Sequence, residues 1–268
     1  MGFHYSEDYH KAIVTAAEHN DGGRWQAHRA LIARYKQGGA ILDIGCSSGS
    51  FLAGMNNGLW KLYGIEMDSA TAERAKLTSG AEVFVGDIMG APFSASSFDV
   101  ITAFDVLEHV YHPREFLERV LHWLRPGGIF FARLPNIDSW EARLFGTYWY
   151  GLELPRHLYH FSPRSMRCLV AEVGACESQI NATGKGSHAH HSTRYVYEAI
   201  LQRLGFSPIP MAKARRANLA WRAVRKALWL TLVAPLSWIA SAAGAGVVID
   251  VILKKEATET SGTAGSAK

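Results

Sequence analysis

The stretch Ile41-Leu42-Asp43-Ile44-Gly45-Cys46-Ser47-Ser48-Gly49-Ser50-Phe51-Leu52 decides how the chain folds. Residues 40–45 read as a short buried strand that carries an acid near its end. A turn of small residues follows, and a helix begins near residue 50. Glycines let a backbone approach a ligand closely, and a helix N-terminus favours a carboxylate or phosphate. In open α/β sheets, ligands bind at the carboxyl ends of the strands. This turn is therefore the expected floor of a binding site, set against the plainer reading of a small-residue bend with no ligand.

Working outward, further strands are expected at 62–66, 81–85, 98–103, 129–134, near 177–181 and at 247–253. Helices are expected at 69–77 and 113–124. In the second, Phe116, Leu117, Val120, Leu121 and Leu124 share one face and Pro113 fits the first turn. A further helix spans 163–173, capped by Ser162 and closed by Gly174. Strands alternating with helices predict a seven-stranded, mostly parallel Rossmann-like α/β sheet with helices on both faces and a helical insertion before the last strand. The expected organisation is an N-terminal helical cap at 1–38, a core at 39–183, an insertion at 184–246, the last core strand at 247–256 and a disordered tail at 257–268.

With 48% hydrophobic residues, the 268-residue chain has ample material for a core. A net charge of +4 is too weak by itself to argue for nucleic acid. Cys46, Cys168 and Cys176 are odd in number, lack CxxC spacing and sit in runs that read as core, so neither a disulfide framework nor a zinc site is implied. The start has no basic segment leading into an apolar one, so no signal peptide is expected. Gly2 and Ser6 meet a loose myristoylation pattern that short sequences often satisfy by accident. A cytoplasmic setting, peripheral at most to the inner face of a membrane, is the expectation.

The spacing of the opening turn is not the dinucleotide G-x-G-x-x-G. It resembles motif I of class I methyltransferases that use S-adenosylmethionine (SAM), whose usual form is Asp-x-Gly-x-Gly-x-Gly, with Ser47 in place of the middle glycine. Four further features follow in that family's order: Glu66 ending the second strand, Gly86-Asp87-Ile88 ending the third, Phe98 to Val110 (FDVITAFDVLEHV), and Leu124-Arg125-Pro126-Gly127-Gly128 before the fifth. The run Trp149 to Pro163 (WYGLELPRHLYHFSP) is similar to the "methyltransferase domain 23" type, related to ubiquinone-biosynthesis and natural-product methyltransferases. The likeness covers about residues 25–183. It implies that Asp43 and the turn with Gly45, Cys46, Ser47, Gly49 and Phe51 hold the methionyl end of SAM. It also implies that Glu66 holds the ribose, Met67 lies beside the adenine, Asp87 and Ile88 frame the base, and Phe104 lines the pocket.

By the same resemblance the enzyme positions an acceptor in line with the S–CH₃ bond and excludes water. A general base is needed only if the acceptor must lose a proton. His109, His157, His160 and Tyr159 are the catalytic candidates, each with loop-bracing hydrogen bonds as the alternative role. Arg156 is the candidate anchor for an acidic substrate group. The cluster His188, His190, His191 lacks the usual ligand spacing, so no metal is expected there.

The insertion carries a basic half, with Lys213, Arg215, Arg216, Arg222, Arg225 and Lys226 opposite Ala217, Ala220, Trp221, Val224 and Leu228, and then an uncharged run at 227–249. That composition suits a membrane surface, a docked lid or a homo-oligomer contact through 213–246; a true span competes with the last strand for residues. The expected activity is methyl transfer from SAM to a small-molecule acceptor, of lipid-linked or glycan type, with no nucleic-acid partner. Two rivals are an RNA or protein methyltransferase gripping its substrate with the basic helix, and a non-catalytic scaffold in a membrane-associated biosynthetic complex.

Overall fold

The computed structural model describes residues 25–184, 189–205, 231 and 234–256. Its centre is one seven-stranded sheet: β1 (Gly39–Ile44), β2 (Trp60–Glu66), β3 (Glu82–Val85), β4 (Phe98–Phe104), β5 (Leu124–Pro135), β6 (Cys176–Thr183) and β7 (Val248–Lys254), in spatial order β3-β2-β1-β4-β5-β7-β6. The first five strands are parallel to one another, whereas β7 runs antiparallel to both β5 and β6. The order reverses between β1 and β4, and such a reversal opens a crevice at the carboxyl ends of those two strands.

The helices are α1 (Gln26–Ala33), α2 (Ser50–Ala53), α3 (Ser69–Ser79), α4 (Pro113–Trp123), α5 (Trp140–Phe145), α6 (Pro163–Glu172), α7 (Ala189–Arg203) and α8 (Ala234–Ala242). They cover both faces of the sheet. On one face, Phe116, Leu117, Val120 and Trp123 of α4 and Met166 and Val170 of α6 pack with Leu42, Ile101 and Phe130. On the other, Ile32, Phe51, Leu52, Ala72 and Ala75 pack with Ile41, Val100 and Phe131. Phe130 and Phe131 point to opposite faces and are both buried, because a covered sheet makes both sides of a strand apolar. The α6 start is a capping box: the Ser162 hydroxyl accepts from the Ser165 N–H while the Ser165 hydroxyl accepts from the Ser162 N–H.

Several expectations change. The fifth strand takes in Leu124 to Gly128, which sequence had set aside as a turn, and its register with β4 shifts between Phe98 and Val100. The helix after the opening turn is only Ser50–Ala53. Helix α5 was not expected, although its cap was readable: the Ser139 hydroxyl accepts from the Ala142 N–H. Cys168, expected in or near the core, lies exposed on the outer side of α6, whereas Cys46 is buried.

The insertion leaves and re-enters the sheet at facing positions, since Thr183 of β6 pairs with Val248 of β7. Arg133 of β5 donates to both carboxylate oxygens of Asp250 at 2.7 and 3.0 Å, fixing β7 beside the parallel strands. Within the insertion, α7 and α8 belong to the described residues. Most of the N-terminal cap, His188, the basic half Lys213 to Leu228 and the tail 257–268 lie outside them. Among the described residues no helix is long and apolar enough to cross a membrane.

Candidate active site

Parallel strands deliver the ends of β1 to β4 to one edge of the sheet, and the expected cofactor residues gather there. The turn after β1 adopts left-handed backbone at three positions: Gly45 (φ +71), Ser47 (φ +48) and Gly49 (φ +77). The N–H groups of Gly45 and Cys46 both donate to the Ile65 carbonyl, folding the turn across β2. Glu66, at the end of β2, holds the turn from the other side. Its Oε2 accepts from the Ser47 N–H at 3.0 Å, and its Oε1 accepts from the Met67 and Asp68 N–H groups at 2.8 and 3.1 Å. A carboxylate offers about four acceptor sites, so one stays available.

Gly49 is required by packing. A Cβ there would lie 2.8 Å from the Ala75 carbonyl oxygen and 2.9 Å from its Cα, both backbone atoms of α3. Gly49→Ala is expected to cost about 2–4 kcal/mol, from overpacking and left-handed strain together, as read by urea denaturation. Ser47 departs from the family's glycine yet already occupies the glycine-like conformation. Ser47→Gly is expected to change stability by less than about 1 kcal/mol, because relief of strain offsets the freer unfolded chain. A larger loss would show that the Ser47 side chain, not its backbone, shapes the turn.

Asp43 lies beneath this turn, 3% exposed, and accepts from the Thr102 hydroxyl at 2.6 Å. Burial pushes its carboxyl up to about 7; the Thr102 bond opposes this and the Glu66 charge adds to it. Burial also drives the Cys46 thiol upward, so its side chain is inert packing under Gly64, and only its backbone can reach the crevice. Phe51 is likewise beneath the floor. It packs with Trp25 and Phe104 at ring separations of 5.6 and 5.0 Å, and Phe104 meets His28 and Phe131 behind them. Met67 is exposed at the rim, while Ile88 is buried below it. Asp87 caps the short turn Ile88–Gly90, accepting from the Met89 N–H at 2.6 Å.

The catalytic candidates form a second group, past β4. Asp105 has a left-handed backbone (φ +54) and starts a descent into the turn Leu107–His109. Strained backbone of this kind tends to gather at functional sites. The Glu108 carbonyl accepts from the Leu158 and Tyr159 N–H groups, docking the loop 150–161 onto this turn. His109 Nδ1 donates to the Arg156 carbonyl at 3.0 Å. Burial holds the His109 imidazole neutral, its proton affinity lowered to about 4. His157 is buried, with Nδ1 on the Gly151 carbonyl at 2.8 Å and Nε2 3.0 Å from Glu153 Oε2. His160 Nε2 bonds the Leu152 carbonyl, and the Tyr159 hydroxyl donates to the Tyr111 carbonyl. The arrangement therefore brings His109, His157 and His160 together, with the His157 ring 4.7 Å from that of His109 and 6.2 Å from that of His160, while the Tyr159 ring stacks on Phe161.

Two residues that the sequence reading did not single out for chemistry organise this group. Glu153, left-handed at φ +37, pairs with both Arg156 and His157. Burial works to raise its carboxyl, but the His157 bond and the Arg156 charge prevail and hold it below the usual carboxylate range. Glu108 is 1% exposed, and neither carboxylate oxygen has a well-formed hydrogen bond among the described residues; burial, aided by the Asp105 charge and opposed by the backbone at Glu108 itself, raises its proton affinity well above normal. Of the histidine cluster in the insertion, His191 stacks on Tyr150 at 4.5 Å, and the neighbouring Ser192 hydroxyl accepts from the Tyr150 N–H. Its role among the described residues is to brace the same loop from α7.

Comparison with known proteins agrees with this architecture. The methyltransferase domain family matches residues 17–175. A ubiquinone biosynthesis O-methyltransferase of Paraburkholderia phymatum is 29% identical over 133 residues, covering 47% of this chain and 57% of that protein. The chain thus spans little more than half of that relative's length. Among solved structures, a SAM-dependent methyltransferase of Thermotoga maritima superposes with a TM-score of 0.59 at 16% identity, covering 93% of this chain and 96% of the other. Phosphoethanolamine N-methyltransferase 2 of Haemonchus contortus, solved with S-adenosyl-L-methionine, gives a TM-score of 0.59 at 15% identity, covering 95% and 58%. These structural likenesses show a shared fold. The family match spans more than half of the chain and includes both the turn after β1 and the descent after β4, and on that ground the chain belongs to the methyltransferase domain family.

Proposed function

We propose that this chain binds SAM in the crevice between β1 and β4 and transfers its methyl group to a small-molecule acceptor lying against the loop 150–161. One observation carries the reading: three left-handed residues bend the chain after β1, and the acid ending β2 grips that bend through the Ser47 N–H. The residues present fit the cofactor. Glu66 retains acceptor capacity for ribose hydroxyls, and Asp43 is a buried acid whose ionised form gains from a cation above it. When bound, SAM supplies an electrophilic methyl on a positively charged sulfonium.

The protein's own contribution is position and dryness. Phe104 and the aromatic residues behind it give the crevice an apolar wall, which excludes water from a reacting methyl. The bonding of His109, His157 and His160 supports a bracing role: each has a ring nitrogen on a backbone carbonyl, so the loop is held in one geometry. The names of the sequence relatives favour an oxygen acceptor. The exposed Leu236, Trp238 and Ile239 of α8 favour an apolar or lipid-linked one, or a membrane surface nearby.

The test is calorimetric titration with SAM and with S-adenosylhomocysteine, expected to show one site per chain. It is followed by a search for S-adenosylhomocysteine release when lipid and polar cell extracts are supplied separately. Absence of SAM binding by the intact chain overturns the reading. Release with RNA or protein fractions alone overturns the small-molecule acceptor.

A further inference from the structure

A cavity of about 450 Å³ lies between α1 and the strands β5 and β7. That volume is within the range of small-molecule sites. Among the described residues its walls have two sources. Ala27, Ala30, Leu31 and Arg34 recur at helical spacing and turn one face of α1 towards the space. Ala27 and Ala30 are exposed, and their methyl groups are too small to fill it. Opposite them stand Phe131 and Arg133 of β5 and Asp250 of β7.

The cavity adjoins the crevice and is positively charged. Arg133 is in register with Phe104 on one side and with Asp250 on the other. One row across β4, β5 and β7 therefore carries the crevice wall, a guanidinium and a carboxylate. The Phe104 ring lies 5.0 Å from that of Phe51, beneath the crevice floor, and 5.5 Å from that of Phe131, in the cavity wall. Only β4 separates β5 from β1, so the two are about 10 Å apart. Asp250 is neutralised where it stands: it accepts from Arg133 Nε and Nη2 and from the Thr183 hydroxyl. Arg133 is not used up. A guanidinium carries five N–H groups, two of which serve Asp250, and the other three have no acceptor among the described residues. Arg34, exposed near the end of α1, has no carboxylate partner among the described residues. Two guanidiniums against one carboxylate leave one positive charge in excess. Arg156, the anchor that the sequence suggested, is by contrast paired with Glu153.

We propose that this cavity binds the carboxylate end of the acceptor, with Arg133 and Arg34 as its anchor and Leu31 and Phe131 against its apolar body. Only the identification of that ligand as the acceptor rests on the methyl-transfer reading; the anion site itself does not. Guanidinium groups recognise carboxylates through paired N–H donors, and their donors stay charged at every working pH. One excess positive charge matches one negative charge, so a carboxylate suits the cavity better than a phosphate dianion. The apolar walls select a carboxylate carried on an aromatic or aliphatic body over a small hydrophilic anion. The distance of two strand spacings lets the far end of such a molecule reach over Phe104 to the crevice.

The test is calorimetric titration of the intact chain with cinnamate and with decanoate, each with and without S-adenosylhomocysteine. Saturable binding with a Kd of roughly 1 mM is expected for these simple probes. Cinnamamide, which lacks the charge, and inorganic phosphate should bind at least about tenfold more weakly. Arg34→Gln and Arg133→Lys should each weaken cinnamate binding about five- to tenfold. Ala30→Leu keeps every charge and fills the space, and it should weaken binding as much. Arg164→Gln removes the same charge from α6 and should bind cinnamate as the parent does. Four results overturn the proposal: no saturable binding of either carboxylate, equal binding of cinnamamide, tighter binding of phosphate, or unchanged affinity in Ala30→Leu. If Arg133→Lys fails to fold, the two variants at exposed positions of α1 decide the matter. SAM binding without carboxylate binding overturns this site alone, and carboxylate binding without SAM binding overturns the methyl-transfer reading alone. When extracts are divided on an anion exchanger, S-adenosylhomocysteine release is expected with the retained fraction. Release with the unretained fraction alone overturns the acidic acceptor.

Discussion

Glu66→Ala is expected to weaken SAM binding at least about 100-fold, which is about 2.7 kcal/mol. Hydrogen bonds to a charged acceptor contribute roughly 1.5–3 kcal/mol each, and this carboxylate serves two purposes. It holds the turn after β1 through the Ser47 N–H, and on the proposed reading its remaining acceptor capacity meets the sugar. The Met67 and Asp68 N–H groups that it also accepts from sit at the rim, one exposed and one half-buried, so water replaces their partner cheaply. The Ser47 N–H loses its partner in the free protein too, so a modest loss of stability should accompany the larger loss of affinity. Glu66→Gln keeps one oxygen and should fall between the parent and the alanine variant. The readout is calorimetry with SAM, alongside thermal unfolding of the unliganded chains. Affinity within a few-fold of the parent's in both variants would falsify the placement of the ribose at the end of β2.

Asp43→Asn is expected to stabilise the unliganded fold by about 2–4 kcal/mol above pH 7 while abolishing tight cofactor binding. The carboxyl is raised from an ordinary 3.8 to about 7 in the folded chain, mainly by burial. Between those two values the folded chain holds a proton that the unfolded chain has released. Stability therefore falls as pH rises through that window, by up to about 1.4 kcal/mol per unit. Asparagine has no proton to lose, so the difference between variant and parent should be small near pH 4, grow towards pH 7 and then level off. Denaturant titrations across that range give the difference directly. Parallel curves for the two proteins would show that Asp43 is not the group responsible. With SAM present the ordering should reverse, because the ionised acid gains a positively charged neighbour and the amide does not.

Much of this was legible from residue order alone. The alternation of short apolar strands with helices points to the sheet, and two boundaries carry readable signals: the small residues after Ile44 and Ser162 capping α6. The crevice was legible for the same reason, because parallel strands must bring their carboxyl ends to one edge. Other features depend on contacts far apart in sequence, and no local pattern encodes them. Glu153 reads as an ordinary loop acid until the fold brings its carboxylate to His157. Glu108 reads as part of a Glu-His pair until its burial is known. For the histidines at 157 and 160 the sequence leaves a base and a loop brace both open, and which carbonyl each ring meets follows from the loop's own path. The boundary of β5 failed because Pro126, Gly127 and Gly128 read as a breaker, whereas at the start of a strand that partners β4 and β7 a bulge tolerates them.

The pairing of Thr183 with Val248 brings the two ends of the excursion between them to one point of the sheet. That point lies at the carboxyl end of β5, since Val248 also faces Pro135, so whatever the excursion carries is anchored on the same edge of the sheet as the crevice. A change in the length or content of that excursion would be felt first there, and α7 shows the route: its Ser192 hydroxyl accepts from the Tyr150 N–H.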